Sequence, residues 1–177
     1  MRSERGDLAA LAADALGRGQ PPAPLQTSLD EVNALGRALG DAGKLLAEDN
    51  GDARDATAQM LRLAGYEVVE AHDGESALAR AAAERPDVVV LDIGMPGKDG
   101  HQVAAELRAT PTLRHLPLIA LSGYGQARDL AASAHAGFDL HLVKPVSAQA
   151  LDDAIQTQLA RVQLAALSAP AAPMQLH

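Results

Sequence analysis

The chain has 177 residues, of which 47% are hydrophobic but only 2% aromatic, so Ala, Leu and Val must fill any core. A net charge of −8 argues against nucleic acid and anionic membrane as partners. The absence of cysteine excludes disulfides, thiolate zinc sites and a thiol nucleophile, and it fits a reducing compartment. No apolar run is long enough to span a bilayer. The start, MRSERGDLAALAADALGRGQ, is charged throughout and lacks a signal-peptide core, so the chain reads as cytoplasmic.

Residues 1–43 hold two Ala/Leu-rich segments around GRGQPPAPLQTS, a linker by its Gly and Pro content. In the second segment Val32, Leu35, Leu39, Ala42 and Leu46 recur in steps of three and four, with Ser28 and Asp30 as candidate caps. That stripe lasts about two heptads, which predicts an amphipathic helix rather than a coiled coil.

From Lys44 onward short apolar runs alternate with helical ones. KLLAED (44–49) reads as a strand, and DARDATAQMLRLAG (52–65) as a helix with Gly65 in the position that ends it. YEVVEA (66–71) is a second strand, followed by the helix GESALARAAAERP, which Pro86 stops. DVVVLD (87–92) is a third strand, and GHQVAAELRAT (100–110) a third helix before Pro111. LPLIALS (116–122) is a fourth strand, QARDLAASAHAG (126–137) a weaker helix, and FDLHLVKP (138–145) a fifth strand. SAQALDDAIQTQLARVQLAAL (147–167) is a long last helix with Ser147 as N-cap, and residues 168–177 read as a disordered tail.

Strands and helices in alternation predict an α/β fold, a parallel sheet wrapped on both faces by right-handed crossovers. Strands buried on both faces read as unbroken apolar runs, as in Val88–Leu91. Such sheets bind ligands outside the carboxyl ends of their strands. Four strands carry polar residues there: Glu48 and Asp49 on the first, Asp92 on the third, Ser122 on the fourth and Lys144 on the fifth. These five should meet in one cleft. Crowded acids repel one another, and a divalent cation relieves the repulsion. Oxygen donors without Cys or clustered His suit Mg²⁺. An acid, a metal, a lysine and a hydroxyl are what a phosphoryl group needs, and a carboxylate can itself be the nucleophile. Each residue alone has a plainer reading: helix caps for the acids and Ser122, a surface lysine for Lys144.

The segment from Lys44 to about Gln158 resembles the receiver domain of two-component response regulators, most closely the receivers attached to hybrid sensor histidine kinases. LLAEDNGDA, VVVLDIGMPGKDG, LIALSGYG and HLVKP carry the likeness, in order, across about two-thirds of the chain. The resemblance implies a flavodoxin-like, doubly wound five-stranded parallel sheet in the order 2-1-3-4-5, with residues 44–167 as the receiver. It implies that Asp92 accepts a phosphoryl group from a phosphohistidine with Mg²⁺ as cofactor. Asp49 would bind the metal directly, Glu48 directly or through a water, and the Gly94 backbone carbonyl would complete the protein ligands. Ser122 would bind a phosphoryl oxygen, Lys144 would pair with the phosphoryl group, and Lys144–Pro145 would be a cis peptide. Three residues before the lysine the family often has Tyr or Phe as a switch ring; here His141 keeps a ring but makes it polar, and its plainer reading is a partly exposed edge histidine.

ALGRGQPPAPLQTSLDEVNALGRALGDAG is similar to a HAMP domain, the two-helix signal relay of sensor kinases, with Asn33 where that family often has Gly. No kinase phosphoacceptor helix or ATP-binding region separates it from the receiver, so the chain reads as an abbreviated sensor. The expected partners are a histidine kinase or a histidine phosphotransfer protein, with no nucleic acid. A homodimer would form through the N-terminal helices or the face between the fourth helix and the fifth strand. Two alternatives stay open: a Mg²⁺-dependent phosphohydrolase of the haloacid dehalogenase type, and an interaction module that is not phosphorylated. The first wants a second Asp two residues after the nucleophile, where Gly94 stands.

Overall fold

The computed structural model describes residues 43–123 and 127–168. The N-terminal helices, their linker, the HAMP likeness and the tail beyond Ser168 lie outside the described residues. The elements in chain order are β1 (Lys44–Ala47), α1 (Gly51–Leu63), β2 (Val68–Ala71), α2 (Gly74–Glu84), β3 (Val88–Asp92), α3 (Gly100–Ala109), β4 (Leu118–Ser122), α4 (Ala127–Ala136), β5 (Leu140–Val143) and α5 (Ala148–Ser168). Every predicted strand and helix of this region is present, with ends shifted by one or two residues. Ser168, expected in the tail, is the last residue of α5.

The five strands form one parallel sheet in the order β2-β1-β3-β4-β5, the flavodoxin-like arrangement. Alternation along each strand splits the core in two. Leu45, Ala47, Val89, Leu91, Leu118 and Ala120 face α2 and α3. Leu46, Val88, Val90, Ile119 and Leu121 face the other way, against α1 and α5. Leu46 therefore belongs to the sheet and not to the helical stripe that begins at Val32. Its spacing matches both patterns, and full burial between α1 and α5 decides for the strand. Each buried aliphatic side chain contributes roughly 1.5–3 kcal/mol, enough to hold a charged residue at the end of β3.

Local signals set the ends of the helices. Gly65 has φ 91°, and the amides of Gly65 and Tyr66 bond back to the carbonyls of Arg62 and Leu61, closing α1 with a left-handed cap as predicted. Ser147 accepts from the amide of Ala150 at 3.1 Å and caps α5, also as predicted. Asp73 and Asp99 cap α2 and α3, each in a reciprocal box with Ser76 and Gln102 respectively. α2 ends at Glu84, and its C-cap Arg85 takes the left-handed conformation at φ 47° with its amide bonded to the Ala81 carbonyl, directly before Pro86, which cannot continue the helix. No helix among the described residues is long and apolar enough to cross a membrane.

Candidate functional site

The carboxyl ends of β1, β3, β4 and β5 open on the same edge of the sheet. β1 runs into Glu48 and Asp49, and Asn50 then caps α1 by accepting from the amide of Ala53. The turn is held on Glu48: its Oε1 accepts from the Asn50 amide at 3.3 Å, and its backbone carbonyl accepts from Arg54 Nη1 at 3.1 Å. Asp92 is the last residue of β3 and is 7% exposed, while Glu48 is 3% exposed. Two buried carboxylates at one edge need compensating charge. Asp49 is exposed beside them, and one carboxylate oxygen from each of Glu48, Asp49 and Asp92 lies within 4.8 Å of the others.

Lys144, directly after β5, supplies the compensating cation. Its Nζ lies 2.5 Å from Glu48 Oε2 and 3.2 Å from Asp92 Oδ1. Burial pushes this ammonium down, but the Glu48 hydrogen bond and the charges of Asp92 and Glu48 outweigh burial and hold its pKa above the ordinary lysine range. Lys144–Pro145 is a cis peptide, as the resemblance implied.

The loop from β3 to α3 is seated by the lack of a side chain at Gly100. A Cβ there would stand 2.6 Å from the Asp92 carbonyl oxygen, so only glycine lets α3 start this close to the strand end. Within that loop the Gly94 amide donates to Asp92 Oδ1 at 3.3 Å. A cleft of about 470 Å³ opens beside the acids, with Glu48 and Lys144 on its rim and Ala53, Met60 and Val146 among its apolar lining.

Ser122 ends β4, 6% exposed, and its carbonyl accepts from the Lys144 amide at 2.7 Å. Its hydroxyl lies 2.7 Å from His141 Nε2. His141 is half-buried on the edge strand β5, in keeping with the plainer sequence reading, but it is not idle: its Nδ1 lies 2.8 Å from Ser133 Oγ. Thus Glu48, Asp49, Asp92 and Lys144 form one charged cluster, Gly94 flanks it through its amide, and Ser122 faces His141. The sequence reading missed Ser133, His101 and Arg54. The first two lie on helices, where periodicity gives burial but not partners. Arg54 was legible only as a helix residue.

The donor set fits a hard divalent cation: three carboxylates with oxygen donors only, arranged with a lysine that offsets part of their repulsion.

The chain is similar to known proteins in sequence and in fold. A family model of the response regulator receiver domain matches residues 45–156. The transcriptional regulatory protein PdtaR of Mycobacterium tuberculosis is 40% identical over 119 residues, covering 66% of this chain and 56% of its own length. PrrA of Mycobacterium bovis, also a transcriptional regulatory protein, is 42% identical over 101 residues, covering 57% of this chain and 42% of its own. The chain thus spans about half the length of such curated relatives. Among solved structures, the signal receiver domain of a Syntrophus aciditrophicus signal transduction histidine kinase superposes with a TM-score of 0.64 at 26% identity, over 76% of this chain and 100% of that one. The receiver domain of a Pseudomonas aeruginosa sensor histidine kinase, solved with a magnesium ion coordinated in its active site cleft, gives 0.63 at 30% identity over 67% and 98%. The protein belongs to the response regulator receiver domain family.

Proposed function

We infer that Asp92 is a phosphoacceptor, taking a phosphoryl group from a phosphohistidine of a histidine kinase or phosphotransfer protein. The observation that carries this reading is the single lysine shared by two buried carboxylates at the strand ends, Lys144 between Glu48 and Asp92. An Asp92 carboxylate oxygen attacks phosphorus, the new O–P bond forms as the N–P bond to the donor imidazole breaks, and that imidazole leaves with the electron pair and is protonated by solvent. Lys144 then pairs with a phosphoryl oxygen in place of part of its present carboxylate contact. The Ser122 hydroxyl donates to a second oxygen. The Gly94 amide already points at Asp92 and stays within reach of the bound group. Asp49 and Asp92, with Glu48 directly or through a water and the Gly94 carbonyl, would hold Mg²⁺, whose positive charge would offset the negative charge of the phosphoryl oxygens. The apolar cleft beside Glu48 and Lys144 suits the approach of a donor helix. The product is a changed surface state rather than a released molecule, so the chain signals and does not turn over substrate.

The test is incubation with acetyl phosphate and Mg²⁺, beside an EDTA control and a generic phosphomonoester. Metal-dependent labelling without monoester turnover is the expected result. Steady release of phosphate from the monoester would overturn the reading in favour of a phosphohydrolase. Absence of both in the folded protein would favour an interaction module that is not phosphorylated.

A further inference from the structure

The three carboxylates at the sheet edge are not held alike. Glu48 is bonded by Lys144 and by the Asn50 amide, and Asp92 by Lys144 and the Gly94 amide. The Asp49 carboxylate is exposed, and among the described residues it has no hydrogen bond or ion pair. Its aim is therefore set by the backbone that carries it.

That backbone is pinned by one side chain. The Glu48 carbonyl accepts from Arg54 Nη1 at 3.1 Å, and no other donor among the described residues reaches it. A carbonyl shares one rigid plane with the amide and Cα of the next residue. Holding the Glu48 oxygen thus fixes the direction in which Asp49 leaves the strand end. Asn50 caps α1 on the far side, so Asp49 stands between two anchored points.

The guanidinium is itself held. Arg54 Nε lies 3.3 Å from Glu70 Oε2, and Arg62 Nη2 lies 2.6 Å from Glu70 Oε1, so each oxygen of this β2 carboxylate takes one arginine. A guanidinium is planar and its donors keep fixed directions, so the bond at Nε orients the bond at Nη1. Among the described residues Glu70 is the acid that Arg54 pairs with, and both side chains are largely shielded from water.

We propose that Arg54 is a positioning residue for the metal site: it holds the Glu48 carbonyl and so aims the Asp49 carboxylate at the cation, with Glu70 fixing its guanidinium. This rests on Glu48, Asp49 and Asp92 as the Mg²⁺ site. Charge and position predict opposite signs here. A cation this close to three carboxylates repels Mg²⁺, so by charge alone its removal tightens binding. A residue that holds a ligand in place acts in reverse, and losing such an outer contact weakens metal binding about 10- to 100-fold.

The experiment is titration calorimetry of Mg²⁺ into the full chain, with no phosphoryl donor present. Mg²⁺-induced NMR shifts of the Asp49 and Gly94 amides place the bound ion. Arg54→Gln is expected to bind about tenfold more weakly than the wild type. Arg54→Lys keeps the charge but not the fork, and should bind as weakly. Glu70→Gln leaves Arg54 without its anchor and should also weaken binding, but should cost nothing further in the Arg54→Gln background. If urea unfolding shows that Arg54→Gln does not fold, the single variant Glu70→Gln decides: wild-type affinity there overturns the proposal. Equal or tighter binding by folded Arg54→Gln, full affinity in Arg54→Lys, or a Glu70→Gln effect that persists without Arg54 also overturns it. A wild type whose Asp49 and Gly94 amides ignore Mg²⁺ overturns the metal reading and the proposal together. Labelling of Asp92 is not measured, so the phosphoacceptor reading stands or falls separately.

Discussion

The Lys144 ammonium lies 3.2 Å from Asp92 Oδ1 while it also holds Glu48 Oε2. One flexible cation thus occupies the electrostatic place that a metal ion and a phosphoryl group would both influence. Lys144→Gln removes it and leaves three carboxylates facing one another. The variant is expected to bind Mg²⁺ about fivefold more tightly, equivalent to the roughly 1 kcal/mol of a partly exposed ion pair. Titration calorimetry of both proteins measures this; equal or weaker binding by the variant would show that the ammonium does not compete with the metal. The same pair has a pH signature. A lysine pKa raised in the folded protein stabilises fully below the unfolded value of 10.5 and loses that contribution as pH rises through the folded value. The stability advantage of the wild type over Lys144→Gln should therefore be flat at neutral pH and shrink only above about pH 10.5.

Gly100→Ala tests how closely α3 must approach the strand end. The added Cβ meets the Asp92 carbonyl at 2.6 Å and the Ile93 Cα at 2.8 Å, both backbone atoms that have nowhere to go. A cost of about 1–3 kcal/mol in urea unfolding is expected, the range for overpacking. Gly51→Ala is the control, since its Cβ would meet only Arg54 Nη2 at 3.8 Å. That change should be neutral or slightly stabilising, because alanine is the better helix former. Equal costs at the two positions would contradict the packing argument.

Asp73 gives a second pH effect, at the acid end. The Ser76 amide donates to its carboxylate and, with the Ser76 hydroxyl beside it, holds its pKa below 3.8. A lowered carboxylate pKa stabilises above the unfolded value and loses the contribution as pH falls through the folded one. Asn caps a helix as well as Asp but does not titrate. The difference in unfolding midpoint between the wild type and Asp73→Asn should thus be constant above about pH 4 and fall away in more acid solution. A difference that stays constant down to the lowest measurable pH would contradict the capping role of the charge.

Much of this molecule was legible in its sequence, and the reason is the parallel sheet. Strands such as Val88–Leu91 are buried on both faces, so they stand out as unbroken apolar runs, and their carboxyl ends converge. Glu48, Asp49, Asp92, Ser122 and Lys144 could be placed at one edge because the ends of parallel strands point the same way. Asp73 and Asp99 were also within reach, since Asp99-Gly-His-Gln102 has capping-box spacing, but a capping aspartate looks like any loop residue until the helix start is fixed. What the sequence hides is contact between elements that share no pattern. Ser133 sits amid small residues on α4, and nothing in its spacing says that it joins two histidines 8 and 32 positions away. Arg108 is similar: it ties the carbonyls of Gly137, Arg114 and Leu116 to the Asp139 carboxylate, a four-way clamp that reads in sequence as one more helix arginine. Leu46 fitted two periods at once, and only burial against α1 and α5 separated them.

The central claim is that the carboxylate at the end of β3 receives the phosphoryl group. The most direct test is to treat the protein with acetyl phosphate and Mg²⁺, reduce the acyl phosphate with borohydride, and map the product by peptide mass spectrometry. The account predicts a single reduced residue, homoserine at position 92, absent with EDTA and absent in Asp92→Asn. Reduction at Glu48 or Asp49 instead, or metal-dependent labelling that persists in Asp92→Asn, would contradict it.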